Sequence, residues 1–126
     1  MDRNFPIDIG ANTSFSKTVS ESDVYGFAGI TGDFAPNHVN EEYMRESGYS
    51  ARIANGALMI GYMSAASSAI LDQHARPTPD KTPVSLGYDR VRFLNAVYFG
   101  DTITVNYEVT EPDKERQSSS ATIEVT

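Results

Sequence analysis

From Gly56 to about Leu71 the chain carries almost no charge, and Leu58, Met59, Ile60, Tyr62, Met63, Ala65, Ala66, Ala69 and Ile70 recur at helical spacings that cover more than one face. A helix that is apolar nearly all round is a buried helix. The rest of the chain therefore has to enclose it. With 126 residues and 40% hydrophobic content there is material for one domain with a modest core, not for two.

The flanking segments supply an enclosure. A polar, proline-punctuated stretch, Gln73-His74-Ala75-Arg76-Pro77-Thr78-Pro79-Asp80, ends the helix. Three β-like segments follow at about 84–94, 101–109 and 117–125, the middle one alternating through Ile103, Val105, Tyr107 and Val109. Gly100-Asp101 and Pro112-Asp113-Lys114 read as hairpin connections between them. Upstream, residues 1–13 read as an irregular leader and 14–19 as a short strand. Ser20-Glu21-Ser22-Asp23 resembles a capping box ahead of Val24, Phe27, Ala28 and Ile30, which predicts a helix ending near Thr31-Gly32. Asn40 is placed to cap a second short helix, with Glu41 and Glu42 in its first turn and Gly48 at its C′ position. Residues 33–39 are then the loop between two helices. The simplest assembly is α+β, one long central helix wrapped by an antiparallel sheet.

Composition narrows the chemistry. A formal net charge of -7 without any basic run argues against a nucleic-acid surface, although Arg45, Arg52, Arg76, Arg90 and Arg92 offer local positive charge to an anionic ligand. The absence of cysteine excludes disulfides, thiolate metal sites and cysteine nucleophiles, and two histidines leave little for a metal centre. No apolar run is long enough to span a bilayer, and Met1-Asp2-Arg3-Asn4-Phe5 lacks the apolar core of a signal peptide. A soluble, cytosolic protein with no membrane or nucleic-acid partner is expected.

Candidate chemistry sits just before the long helix. Gly32-Asp33-Phe34-Ala35-Pro36-Asn37-His38 places two titratable groups in one turn, and Ala54-Asn55-Gly56 leads into the helix start. Asp33 and His38 are suited to share a proton-transfer task, and N–H groups at the helix start can hold a developing negative charge. Taken singly, each residue has a plainer role. Asp33 beside Gly32 is a turn former, His38 a loop or cap residue, Gly56 a tight turn, Asn55 an N-cap, and Ser64 a hydroxyl bonded within its own helix. His74 reads as solvent-facing and the helix methionines as core.

Together, Gly32-Asp33-Phe34-Ala35-Pro36-Asn37-His38, Ala54-Asn55-Gly56 and then Ser64 resemble the MaoC-like (R)-specific enoyl-CoA hydratases of the hot-dog fold. That family carries Gly-Asp-x-Asn-Pro-x-His, then Ile-Ala-His-Gly-Met, with a serine further along the helix. Arg92-Phe93-Leu94 and Gly100-Asp101-Thr102 resemble its arginine- or lysine-containing strand and the hairpin beyond. The resemblance implies a catalytic dyad at Asp33 and His38, an oxyanion-hole N–H donor at Gly56 flanked by Asn55, and a supporting serine at Ser64. It implies water addition to a trans-2-enoyl thioester, with no cofactor beyond the coenzyme A or acyl carrier protein that is part of the substrate.

The chain departs from that pattern in three places. Ala35 replaces the family's Asn before Pro, removing a side-chain hydrogen bond to the turn, and Asn55 replaces its His, keeping a donor but losing a titratable ring. The family also continues into a last strand inside the sheet, whereas this sequence stops at Thr126. Three function classes follow: a hydratase or dehydratase, a hot-dog thioesterase in which Asp33 directs water at the carbonyl carbon, and a non-catalytic ligand-binding or heterodimer subunit. The open sheet edge predicts a homodimer.

Overall fold

The structure, a computed structural model, describes residues 7–75, 77–113 and 118–126. Its elements are β1 (Asn12–Thr18), α1 (Glu21–Thr31), α2 (Pro36–Val39), α3 (Glu41–Arg45), α4 (Gly56–His74), β2 (Thr102–Asp113) and β3 (Ser118–Val125). The class is α+β, with an antiparallel β2–β3 pair, a sheet order β1-β2-β3 and one long helix.

Short-range chemistry sets the helix ends. Ser20 Oγ accepts from Asp23 N at 3.1 Å while Asp23 Oδ2 accepts from Ser20 N at 3.1 Å, so the capping box is formed with Asp in the third position. Lys17 adds an ion pair to the same carboxylate. At the other end Gly32 takes φ +84°, a left-handed conformation that costs glycine nothing, and its N–H donates to Ala28 O at 2.8 Å. Val24 and Ala28 are buried along this helix, whereas Ile30 is exposed, so the apolar spacing overstated the packed face.

The expected loop at 33–39 contains α2, and α3 is shorter than expected. Asn40 Oδ1 accepts from Tyr43 N at 3.0 Å as foreseen, but the C-cap is Glu46 rather than a residue adjoining Gly48. Ser47 ends the turn instead, its N–H and hydroxyl both donating to Met44 O.

Contacts divide the chain into two compact units. Residues 1–15, 62–91 and 104–126 form one, and 16–61 and 92–103 the other. In the first, Ile7, Ile70, Ala75 and Val109 make a buried cluster with Ala11, Leu71 and Tyr107 packed on it. Gly10 N donates to Val109 O at 2.8 Å and Val109 N to Ala11 O at 2.9 Å, joining β2 to the residues before β1. The β2–β3 register pairs Val105 with Val125 and shifts between Val109 and Glu111.

In the second unit, Val19 exchanges backbone bonds with the Gly100-Asp101 turn, donating to Asp101 O and accepting from Gly100 N at 2.8 and 2.7 Å. Ala54 N donates to Val97 O at 2.8 Å, and Ile53 bridges Tyr98. Arg52 gathers the surrounding elements. Its guanidinium donates to Glu41, Tyr25 and Glu21, each at 2.8 Å, and its Cζ lies 4.8 Å from the centre of the Phe99 ring. Burial alone pushes this group down, but the bonds to Tyr25, Glu21 and Glu41 outweigh that and hold it above its ordinary value. Arg52 is thus committed to structure rather than to an anionic ligand.

Two expectations are corrected. Residues 84–94 form no strand, and Val84, Leu86 and Leu94 are exposed, because side-chain alternation alone cannot make a strand without a ladder partner. Nor is α4 buried all round. Met59, Tyr62, Ala66 and Ile70 make one buried stripe, while Gly61, Ser64, Ala65 and Ser68 are exposed. Small and hydroxyl side chains remove charge from a helix without demanding burial. Helix α4 also extends three residues past Leu71, to His74. Arg76, the leader's residues 1–6, Lys114 and the expected strand start at Gln117 lie outside the described residues.

The capping box carries a stability prediction. Ser20→Ala is expected to cost about 1 kcal/mol in urea unfolding. The Lys17 hydrogen bond, together with Ser20, holds the Asp23 carboxyl below its ordinary 3.8. A carboxyl depressed in the fold stabilises it above the unfolded value and loses that contribution as pH falls through the folded value. Hydrogen exchange in the first turn of α1 should accelerate below about pH 4, and Asp23→Asn should remove that acid-induced step.

Candidate active site

The loop after α1 is stiffened by side chains reading its backbone. Thr31 Oγ1 donates to Phe27 O at 2.8 Å and accepts from Asp33 N at 3.1 Å, and Asp33 Oδ1 accepts from Ala35 N at 3.2 Å. Residue 35 offers no side-chain cap to α2, so the turn is held from Asp33 instead. Pro36 then opens α2, a position where its missing N–H costs nothing.

That short helix delivers His38 into the interior. The ring is 8% exposed, and its Nδ1 lies 2.8 Å from Ile53 O. A carbonyl only accepts, so Nδ1 carries the proton and the neutral ring keeps its basic lone pair on Nε2. Ile53 N in turn donates to Asn37 O at 3.0 Å, locking the two segments together on both sides of the histidine.

Asn55 connects the carboxylate to the helix start. It is 3% exposed, and its Nδ2 donates to Asp33 Oδ2 at 3.1 Å. Only the NH₂ end of the amide can serve a carboxylate, which leaves Oδ1 buried with no partner among the described residues. Asp33 therefore has both oxygens oriented by N–H donors. Its residue remains exposed.

Gly56 is the first residue of α4, and its N–H meets no protein acceptor among the described residues. The free N–H lies at the positive end of a 19-residue helix. The Phe93 ring packs directly on this glycine. A Cβ added at Gly56 would lie 2.7 Å from Phe93 Cδ2 and 2.8 Å from Cε2 and Cγ, so a side chain there could not coexist with the ring where it stands.

Asp33, His38, Asn55 and Gly56 thus belong to one compact unit, and Asn55, the residue before Gly56, holds Asp33 by its side chain. Ser64 falls in the other unit, exposed on α4. Sequence reasoning gave no role to Phe93, whose partner is remote in the chain. The signals were the place of Phe93 in the Arg92-Phe93-Leu94 segment and a glycine at a helix start, and neither names the other as its partner.

Residues 5–126 match the model of the MaoC like domain. An (R)-specific enoyl-CoA hydratase from Rhodospirillum rubrum is 39% identical over 80% of this chain, and the match spans 65% of that protein's own length. A 3-hydroxybutyryl-CoA dehydratase from Methylorubrum extorquens is 32% identical over 94% of this chain and 72% of its own. Among solved structures, the (R)-hydratase from A. caviae superposes with a TM-score of 0.78 at 22% identity, covering 95% of this chain and 85% of that one. That likeness shows the shared hot-dog fold. No helix among the described residues is long and apolar enough to cross a membrane.

Asn55 offers a test of how the site is stabilised. Asn55→Ala loses one hydrogen bond, worth about 1 kcal/mol, but also removes an orphaned buried acceptor that costs about 1–3 kcal/mol. Urea unfolding should find the variant within about 1 kcal/mol of the native chain, despite the near-complete burial of the side chain.

Proposed function

Since the chain belongs to the MaoC-like domain family, by a model match over residues 5–126 and a relative 32% identical over 94% of its length, we propose that it is a hydratase or dehydratase of acyl thioesters. The substrate is a trans-2-enoyl group and the product its (3R)-3-hydroxyacyl counterpart, carried on coenzyme A or an acyl carrier protein. The observation that carries the reading is the Asn55 Nδ2 to Asp33 Oδ2 bond, which ties a carboxylate to the start of a helix whose first N–H has no acceptor among the described residues.

Each chemical requirement has a residue. Hydration needs a proton removed from water, an O–C3 bond, relief of the negative charge that builds up on the thioester oxygen, and a proton delivered to C2. His38 Nε2 carries the lone pair that accepts the water proton, because Nδ1–H is committed to Ile53 O. Asp33, oriented by Ala35 N and Asn55 Nδ2, completes the acid–base pair. Gly56 N–H receives the enolate oxygen at the positive end of α4. Dehydration is the reverse sequence through the same groups.

Crotonyl-CoA hydration, followed as loss of enoyl absorbance, is the direct test; release of free thiol instead would indicate a thioesterase. Asp33→Asn and His38→Ala should each lower kcat by about 10²–10⁴-fold with folding intact. Asn55→Ala should lower kcat more than it raises KM, since it loosens Asp33 without touching ligand affinity directly. Near-native kcat in both dyad variants would refute the assignment.

The reading includes a second copy of the chain. Strands β1 and β3 are the outer members of the described sheet, and Ile30, Val84, Leu86 and Leu94 are exposed. Unpaired edges and exposed apolar side chains favour association. Light scattering at micromolar concentration should return a dimer mass; a monomer would contradict this.

A further inference from the structure

Phe93 is 58% exposed, yet its ring occupies the space beside Gly56 so fully that a Cβ there would meet three ring carbons at 2.7–2.8 Å. The ring's segment is not free to drift. Val97 O accepts from Ala54 N at 2.8 Å, Tyr98 bridges Ile53, and the Tyr98 hydroxyl donates to Tyr49 O at 2.9 Å. The strand of contacts that fixes residues 97 and 98 is the one that fixes the approach to Gly56.

By standard geometry a Cβ position lies about 2.5 Å from its own nitrogen, so the Phe93 ring reaches within about 5.3 Å of the Gly56 N–H. An oxygen accepting from that N–H sits about 2.9 Å from the nitrogen. In the residue just before this glycine, Asn55 Oδ1 is a buried acceptor with no partner among the described residues, in a side chain only 3% exposed.

We propose that Phe93 is a specificity-determining residue: its ring lies against C2 of the acyl group and excludes thioesters carrying a substituent on that carbon. The inference rests on the hydration reading for its reaction but not for its binding geometry. A planar, unsubstituted enoyl group passes the aromatic face; a methyl on C2 meets the ring. Discrimination of one methyl in an apolar site is worth roughly 10–200-fold.

The test compares crotonyl-CoA with 2-methylcrotonyl-CoA on the full chain and on Phe93→Leu, Phe93→Ala and Phe93→Tyr. Initial hydration rates give kcat/KM for each thioester, and calorimetric titration gives each affinity. The lower intrinsic reactivity of the branched substrate cancels when ratios are compared between variants. Phe93→Ala and Phe93→Leu should each narrow the crotonyl preference at least tenfold through a gain on the branched thioester. Phe93→Tyr, which keeps the ring, should retain the native ratio. Equal losses on both thioesters, with the ratio unchanged, would show a merely structural ring and overturn the proposal. If the native chain hydrates neither thioester, the hydration reading fails by itself. The affinity ratio then decides Phe93: a preference for crotonyl-CoA that Phe93→Leu erases upholds it, and equal affinities in native and variant chains overturn it. Phe93→Leu serves should Phe93→Ala fail to fold, as judged by circular dichroism.

Discussion

The site-bearing unit depends on Arg52. Its forked guanidinium reaches Glu21 and Tyr25 on α1 and Glu41 on α3, and its plane lies near Phe99 in the turn before β2. The acid partners are substantially exposed, so the ion pairs add little stability one by one. What they add is direction. Tyr25, while accepting from Arg52, donates to Val39 O, the residue after His38. Immediately beyond Arg52 in the chain, Ile53 O orients the histidine ring and the Asn55 amide orients Asp33. A lysine has no fork to serve three elements at once and stacks poorly on an aromatic ring.

The proposed reaction asks an acidic chain to hold a developing negative charge. With a net charge of -7, long-range attraction for an anion is absent. The donor assigned to that charge is a neutral dipole instead, the Gly56 N–H at the start of α4, while the Asn55 NH₂ and the imidazole N–H are already committed to Asp33 and to a carbonyl. Such donors act at hydrogen-bond range and are not cancelled by a distant excess of carboxylates.

What could be read from the sequence was governed by range. The Ser20 and Asp23 box, the Gly32 stop and the Asn40 cap were legible because each is closed by residues a few positions apart. Asp33, His38, Asn55 and Gly56 were legible as a set only through the spacing of two motifs; that Asn55 would be the side chain joining them was not, since nothing in residues 32–38 specifies which partner its carboxylate meets. Residues 84–94 were misread for the same reason in reverse: Val84 and Leu86 satisfy a strand pattern, but a strand is a property of two segments. The contact of Phe93 with Gly56 was not legible because a glycine advertises only that something can come close.

Asn40 has a consequence of a different sort. Its N–H closes the last turn of α2 on Pro36 O at 3.0 Å while its side chain opens α3 on Tyr43 N, so one residue is the whole connection between two helices. There is no slack in the chain from His38 to Arg52 at that point. Substitutions that keep the cap are absorbed locally, but an insertion or deletion beside it would break two helix ends together and shift the imidazole out of phase with Ile53. The spacing between the two halves of the site is therefore set as a length by these two helix ends, independently of which side chains fill it.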